Sequence, residues 1–174
     1  MNPLLIGGAI AAVYAMLPQS SPVNYHPSDR SGNIDAFLQV IKDGESSDNY
    51  RAIVGVKGGS FSDYSKHPGL NSDGSINRAF LPGASSHAAG AYQFQPGTWA
   101  ECASKLGLAD FSPSSQDKGA IYLLQKRGAY QAVIDGNIDS ACDLLRDEWQ
   151  MFKLPRWNSA RVIEEFLSYG GELA

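Results

Sequence analysis

One stretch decides the fold: Asp35-Ala36-Phe37-Leu38-Gln39-Val40-Ile41-Lys42-Asp43-Gly44-Glu45-Ser46-Ser47-Asp48-Asn49. Apolar residues recur here at the i, i+3, i+4, i+7 spacing of a helix packed on a core, namely Ile34, Phe37, Leu38 and Ile41. Their polar neighbours fall on the opposite face. We expect Gly44 to end or bend this helix, so that Glu45 follows it directly. A glutamate in such a position is usually a solvated charge, so its meaning depends on the residues downstream.

Composition limits the classes of function. The chain has 174 residues and is 43% hydrophobic and 10% aromatic, which predicts one globular domain with a short appendage. Its net charge of −4 does not provide the broad cationic surface that nucleic-acid binding uses, so no nucleic-acid partner is expected. Three scattered histidines and no Cys/His cluster of zinc spacing predict no metal site. Cys102 and Cys142 lie in separate predicted helices, and we favour two unpaired buried thiols over one disulfide.

The N-terminus is the one membrane-like segment. Residues 1–17 carry no charged side chain and, as a helix, would reach about 25 Å, short of the ~30 Å hydrocarbon core of a bilayer. The segment lacks the basic start of a secretory signal, although Val13-Tyr14-Ala15 resembles a cleavage site. We interpret it as an uncleaved membrane or export anchor, with a cleaved signal or a helix buried against a partner as alternatives. Residues 18–32 predict a linker and residues 33–174 the folded domain.

The rest of the chain alternates short β-type runs with well-marked helices. Residues 52–56 and 60–64 predict a small β-hairpin, and residues 67–83 a long surface loop. Turn and capping residues then predict five helices. The first begins at a capping box at Thr98, and the next three run from Pro113 to about Arg127, from Tyr130 to Ile134 and from Asn137 to Trp149. The last begins at Asn158 or Ser159 and buries Val162, Ile163, Phe166 and Leu167. The predicted fold class is α+β: a mainly helical domain with a small β-hairpin lobe and a cleft between the lobes.

Four blocks of sequence follow one another in a recognisable order. They comprise residues 36–49; residues 50–55 with 61–68; Ala89-Gly90-Ala91-Tyr92-Gln93-Phe94 followed by Trp99; and residues 106–117 continuing to 127–129. Together they resemble the phage lambda-type endolysins, a lysozyme-like family of lytic transglycosylases that cut peptidoglycan. The resemblance extends over roughly residues 35–149, and it implies a cofactor-free enzyme with a lysozyme-like fold.

The resemblance places Glu45 on the family's catalytic glutamate. A carboxyl group in an apolar cleft keeps its proton near neutral pH and can protonate a leaving glycosidic oxygen. In a lytic transglycosylase the ionised glutamate then takes a proton from the muramoyl C6 hydroxyl, and a 1,6-anhydro ring closes. A hydrolytic muramidase would use a second carboxylate, for which Asp48 and Asp63 are the candidates. A non-catalytic wall-binding module on the same fold is a further alternative.

Five residues are candidates for substrate binding. Tyr92 and Gln93 lie in a Gly-flanked segment similar to the family's cleft wall, and Tyr64, His87 and Trp157 are further candidates for saccharide contacts. Trp99 and Trp149 we assign to the core. The chain departs from the family pattern after Trp149, where Lys153-Leu154-Pro155-Arg156-Trp157 stands in place of a longer Gly-rich loop.

The resemblance also implies where the enzyme acts. A phage endolysin degrades peptidoglycan in the host periplasm during lysis, and residues 1–17 would hold this one at the inner membrane until its release. The alternative is a virion-associated enzyme that opens the cell wall during phage entry, with the same segment bound to a virion partner.

Overall fold

The computed structural model of the chain describes residues 31–55 and 59–174. The anchor predicted for residues 1–17 and most of the linker predicted for residues 18–32 lie outside the described residues. Within the two described ranges, no helix is long and apolar enough to cross a membrane.

Helices dominate the described part of the chain. They are α1 (Ser31–Ser46), α2 (Pro96–Leu106), α3 (Pro113–Lys126), α4 (Tyr130–Ile134), α5 (Ile138–Leu145), two 3-10 helices (Gln150–Lys153 and Pro155–Trp157) and α6 (Ser159–Ser168). Short connections join them from α3 onward. The mainly helical fold expected from the sequence is therefore present.

Helix α1 is the centre of the domain. It packs against α3, α4, α6 and the first 3-10 helix. Phe37, Val40 and Ile41 are fully buried at 0% exposure, and burying a side chain of this size contributes about 1.5–3 kcal/mol. The amide of Asn33 fixes the start of the helix, because its Nδ2 donates to Val133 O and its Oδ1 accepts from Glu172 N–H. The buried stripe predicted from periodicity is confirmed, and Val40 widens it.

Side-chain caps mark two of the later helices where the sequence predicts them. The Ser112 hydroxyl accepts a hydrogen bond from the backbone N–H of Ser115 at the start of α3. The Asn158 side chain does the same for Arg161 N–H at the start of α6, at 3.0 Å. Such caps satisfy backbone donors that have no partner inside the helix.

Four details differ from the sequence predictions. Gly44 does not end α1, which continues through Ser46. Helix α2 begins at Pro96, before the predicted cap Thr98, because the extended Gln95 already supplies the N-cap position. Helix α5 ends at Leu145 rather than at Trp149. Leu167 is 45% exposed, since α6 buries the narrower face formed by Val162 and Phe166.

The segment between α1 and α2 holds short antiparallel contacts in its described part. Isolated bridges join Ala52 to Ser60, Ile53 to Ala89, Leu70 to Ile76, and Ala89 to Phe94. The bridge between Ala52 and Ser60 is flanked by a hydrogen bond from Phe61 N–H to Arg51 O. This pairing joins the first residues of the two predicted strands, but among the described residues only isolated bridges occur, and the hairpin lobe stays a prediction.

An aromatic cluster fills the core beneath this segment. Phe111, at 0% exposure, contacts Trp99 with a ring-centroid distance of 4.6 Å and His67 at 4.7 Å. Trp99 and Trp149 are both 3% exposed, which confirms their assignment to the core. Cys102 and Cys142 are free, buried thiols, as favoured from the sequence.

Candidate active site

Glu45 lies in the last turn of α1, partly buried at the edge of a groove. Its Oε1 accepts a hydrogen bond of 3.0 Å from the backbone N–H of Met151. Burial raises the pKa of the Glu45 carboxyl, because desolvation disfavours the charged form, while the Met151 N–H and the positive charge of Arg156 act in the opposite direction. A carboxyl group with a raised pKa at the edge of a groove is suited to donate a proton to a ligand.

Gly44 allows the close approach that creates this hydrogen bond. A Cβ at position 44 would lie 2.4 Å from Met151 Sδ and 3.2 Å from Trp157 Cε2. Met151 is only 1% exposed, so its side chain cannot move aside into solvent. The absence of a side chain at Gly44 therefore lets the first 3-10 helix pack on α1 directly beside Glu45.

The groove beside Glu45 has a volume of about 670 Å³ and is open to solvent. One side comes from the end of α1 and the segment after it, and the other from the turn between α5 and the first 3-10 helix. Among the residues that line it are Glu45, Asn49, Ile53, Gln93, Gln95, Arg127, Asp147, Glu148 and Gln150. A cavity of this size and polarity is suited to a hydrated ligand with many hydroxyl and amide groups.

Two further carboxylates line the groove, and each is paired with a cation. Glu148 Oε2 accepts a hydrogen bond from Arg127 Nε at 2.7 Å and forms an ion pair with Arg127 Nη2, also at 2.7 Å. Asp147 lies 3.0 Å from Lys153 Nζ, and this hydrogen bond lowers the pKa of the Asp147 carboxyl. Glu45, in contrast, forms no ion pair with a described residue within 4.0 Å, and burial raises the pKa of its carboxyl group.

Glu45 also lines a second cavity, of about 410 Å³. It is lined by residues from the end of α1, from the second 3-10 helix and from α6, including Asp43, Glu45, Arg156, Trp157 and Arg161. Glu45, Ser46 and Ser47 line both cavities. The end of α1 therefore contributes to the lining of both polar cavities.

A tight turn carries Gln93 into the groove. Ala89 and Phe94 exchange two backbone hydrogen bonds across it, at 3.1 and 2.9 Å. Gly90 has a φ of +82°, and a Cβ there would lie 2.3 Å from Gln116 Oε1, so both the conformation and the packing require glycine. Gln93 has a φ of 49°, and its Nε2 donates to Gly90 O at 2.8 Å. This fixes the amide of Gln93 at the groove surface.

The side chain of Gln116 binds the same turn from the core. It is fully buried, its Oε1 accepts from Ala91 N–H at 2.9 Å, and its Nε2 donates to Tyr50 O at 3.1 Å and to Phe111 O at 2.8 Å. A buried amide with all these partners joins the segment after α1, the turn and α3.

Asp117 provides a second link between the same elements. Its Oδ1 accepts hydrogen bonds from the hydroxyl groups of Tyr50 and Tyr92, each at 2.6 Å. Lys42, on α1, donates to Tyr50 at 3.2 Å and forms an ion pair of 3.2 Å with Asp48. The end of the helix that carries Glu45 is thus tied to α3 through polar contacts.

The structure places two of the predicted binding residues beside Glu45. Gln93 lines the groove and Trp157 lines the second cavity. Tyr92 requires a correction: its side chain is 1% exposed and its hydroxyl is bound to Asp117, so it supports the turn from the core and has no surface to offer a sugar.

The remaining predicted residues lie outside both cavities. Tyr64 packs beneath the Arg51 guanidinium, 4.3 Å from its ring centroid, and His87 packs near Phe80 with 6.5 Å between ring centroids. Asp48 is engaged with Lys42. The exposed Asp63 accepts from both the backbone and the hydroxyl of Ser65, and these bonds lower the pKa of its carboxyl. Their roles in binding or catalysis stay predictions.

Sequence reasoning did not single out Arg127, Asp147 and Glu148 as groove residues, or Arg156 as a neighbour of Glu45. Nothing in the local sequence marks them, because the pairing of Arg127 with Glu148 and the approach of Met151 to Glu45 depend on how distant helices pack. The residues of the latter pair are 106 positions apart.

Comparison with solved structures identifies the fold. The structure matches that of lysozyme from bacteriophage lambda with a TM-score of 0.69 and 29% identity, covering 84% of this chain and 99% of that one. It also matches bacteriophage lambda lysozyme complexed with a chitohexasaccharide, with a TM-score of 0.68, 30% identity and the same coverage. The fold and the site together thus define a lysozyme-like protein.

Sequence comparisons identify the family. The endolysin of Escherichia phage lambda is 36% identical over 123 residues, 66% of this chain and 73% of that protein. The endolysin of Escherichia phage P2 is 36% identical over 129 residues, 67% of this chain and 77% of that protein. The family model described as Endolysin matches residues 35–161. The chain belongs to the endolysin family.

Proposed function

We propose that this phage endolysin is a peptidoglycan lytic transglycosylase in which Glu45 acts first as general acid and then as general base. The observation that carries the proposal is the contrast among the groove carboxyl groups. Burial raises the pKa of Glu45, whereas Asp147 and Glu148 are each paired with a cation. The groove therefore provides an acid but no unpaired second carboxylate among the described residues that line it.

The reaction begins with proton transfer from Glu45 to the glycosidic oxygen. Because the Met151 N–H holds Oε1, the other carboxyl oxygen is left to carry the proton. The bond between C1 of the N-acetylmuramoyl residue and the oxygen then breaks, and the leaving sugar departs as an alcohol. Positive charge develops at C1, next to the newly formed Glu45 carboxylate, which stabilises it.

The second step uses the ionised glutamate as a base. The C6 hydroxyl of the same muramoyl residue attacks C1, and its proton passes to Glu45, which restores the starting carboxylic acid. The product is a 1,6-anhydromuramoyl end, lighter by one water than the product of hydrolysis. No attacking water takes part, so no second carboxylate is needed to activate one.

The position of the substrate is proposed from the groove and from a relative. The complex of bacteriophage lambda lysozyme with a chitohexasaccharide supports an oligosaccharide lying in the groove that Glu45 lines. Gln93 and Gln95 present amide groups there that can donate to and accept from N-acetyl and hydroxyl groups.

The test is mass spectrometry of the fragments that the full chain releases from purified peptidoglycan. Anhydromuramic ends that disappear in Glu45→Gln are expected. Reducing ends would indicate a hydrolytic muramidase instead, and Asp48→Asn, Asp63→Asn and Glu148→Gln would then identify its second carboxylate. Equal wall clearance by Glu45→Gln and the parent would overturn the catalytic assignment and favour a non-catalytic wall-binding module.

We further propose that the enzyme acts in the host periplasm during lysis, with residues 1–17 as its membrane anchor. Fractionation of infected cells should find the full-length chain in the inner-membrane fraction before lysis. Stoichiometric amounts in washed virions would instead show a role in entry, and would overturn this assignment.

A further inference from the structure

The second cavity contains a cation whose charge acts on Glu45 but whose guanidinium forms no hydrogen bond or ion pair within the described part of the chain. The exposed Arg156 lines this cavity next to Glu45, and no hydrogen bond, ion pair or ring contact engages its guanidinium. The other arginine of the cavity, Arg161, is engaged, since it bonds to Glu165 at 3.2 Å and lies 4.7 Å from the centre of the Trp157 ring.

The acidic group in the same lining is also engaged. Asp43 accepts hydrogen bonds from the Tyr169 hydroxyl and from Gln39 Nε2. Glu45 Oε1 accepts a hydrogen bond from the Met151 N–H, so this carboxyl group is engaged as well. Among the described residues that line this cavity, Arg156 is therefore the cation whose guanidinium forms no hydrogen bond or ion pair, and a guanidinium binds carboxylates through paired hydrogen bonds.

The substrate of the proposed reaction carries carboxylates near the bond that is cut. The muramoyl residue bears a lactyl ether at C3, to which a short peptide stem is attached, and C3 is two bonds from the reacting C1. The stem therefore leaves the glycan close to the Glu45 carboxyl group. It carries free carboxylates, and the plain N-acetylglucosamine units on either side do not.

We propose that Arg156 is a specificity-determining residue that binds a carboxylate of the peptide stem on the muramoyl residue being cleaved. The glycan then lies in the larger groove, and the stem enters the second cavity, which Glu45 also lines. This inference rests on the proposed function, because it needs a muramoyl residue with its C1 at Glu45. It gives the enzyme a means to place muramoyl rather than N-acetylglucosaminyl C1 atoms at the acid.

The experiment compares native peptidoglycan with the same material after its stem carboxylates have been converted to amides. Both substrates have the same sugars and almost the same bulk, and only the second lacks the charge. We expect the kcat/KM of the full-length parent to be about tenfold higher on native than on amidated material, the usual effect of one charge-assisted hydrogen bond. Arg156→Gln should have about the same kcat/KM on both substrates.

The preference ratio separates binding of the stem from an electrostatic effect on the acid. Loss of the Arg156 charge also changes the pKa of Glu45, but this change acts on both substrates alike and cancels in the ratio. Arg156→Lys should keep part of the preference, because it keeps a positive charge without the planar fork. Arg146→Gln removes another exposed arginine, paired with Asp143 and outside both cavities, and should keep the full preference.

Each outcome bears on the inference. An Arg156→Gln enzyme that folds normally by circular dichroism and keeps the parental preference would overturn it, and so would a parent with no preference for native material. A parent that releases no fragment from either substrate would instead overturn the proposed function.

Discussion

Acidification from about pH 7 to pH 4 is expected to destabilise the fold through His67. This side chain is fully buried against Phe111, and both of its ring nitrogens are used. Gly69 N–H donates to Nδ1 at 3.0 Å, so Nδ1 carries no proton, and Nε2–H donates to Phe94 O at 2.8 Å. Protonation of Nδ1 would place its N–H directly opposite the Gly69 N–H, and no water can reach the site to accept from either donor.

The size of the effect follows from proton linkage. Burial lowers the pKa of His67 from 6.5 to about 4, and a difference of this size corresponds to about 3 kcal/mol of unfolding free energy. Because the folded-state pKa is the lower one, this stability is fully present above pH 6.5 and is lost as the pH falls toward 4. Natural domains are stable by about 5–15 kcal/mol, so the loss is a large fraction of the total.

The assay is urea unfolding at closely spaced pH values, with His67→Gln compared with the parent. The variant will be less stable at every pH because the ring contacts are lost, but its stability should change much less between pH 6.5 and 4.5. Glu45, with its raised pKa, contributes with the opposite sign, since the folded state gains stability as this carboxyl is protonated. This contribution is common to both proteins and cancels in their difference.

If the unfolding free energy changed equally with pH in the parent and in His67→Gln, the reasoning would be refuted. If the variant does not fold, an NMR titration of the His67 ring in the parent gives the same answer, with a midpoint near pH 4 expected. A midpoint near 6.5 would show that protonation costs the fold nothing. His87→Gln, which changes a histidine outside this core cluster, is the matched control. Its unfolding free energy should change with pH as that of the parent does.

Three further outcomes are expected. In a pH–rate profile of wall cleavage, the rate should fall at alkaline pH as Glu45 loses its proton. Arg156→Gln should move this alkaline limb to higher pH, because the arginine charge lowers the pKa of Glu45. Gln116→Leu should lower the free energy of unfolding in urea by about 3–5 kcal/mol, since it leaves a buried N–H and two carbonyls without their partner. Cys102 and Cys142 should not react with a thiol reagent at about pH 8 in the folded protein, because burial raises the pKa of each thiol to about 12.

Each of these expectations has a control. An alkaline limb that does not move in Arg156→Gln, or that moves equally in Arg146→Gln, would contradict the first. Gln131→Ala, on the solvent side of α4, should cost less than about 0.5 kcal/mol, and a similar cost for Gln116→Leu would contradict the second. Both thiols should react once urea unfolds the chain, whereas rapid reaction in the native state would contradict the third.

The elements of the fold could be predicted where the signal is local. The 3.6-residue period of Phe37 and Ile41 identified the buried face of α1, and the Ser112-Pro113 and Asn158 caps identified the starts of α3 and α6. Local signals failed at Gly44. The glycine resembled a helix stop in the sequence, but its role is to make room for Met151, a residue far along the chain.

Prediction of the site had the same limit. Glu45 and Gln93 could be singled out because a family pattern marks them, and both line the groove. Tyr92 shares that pattern, yet it is a core residue, since a motif does not tell which face of a tight turn is buried. Arg156 had no signal at all, because its significance comes only from its closeness to Glu45 in the folded chain.

Under the proposed mechanism, the hydrogen bond from Met151 N–H to Glu45 makes the activity depend on a small part of the molecule. Its donor belongs to a 3-10 helix of four residues, an element with poorer hydrogen-bond geometry than an α-helix. Local opening of residues 150–157 would free the Glu45 carboxyl and expose it to water while the helices around Phe37 stay folded. Such openings require less free energy than global unfolding. In mild denaturant, therefore, wall cleavage should stop before the circular dichroism of the helices changes, and thermal tolerance of the activity would be improved by strengthening this segment rather than the core.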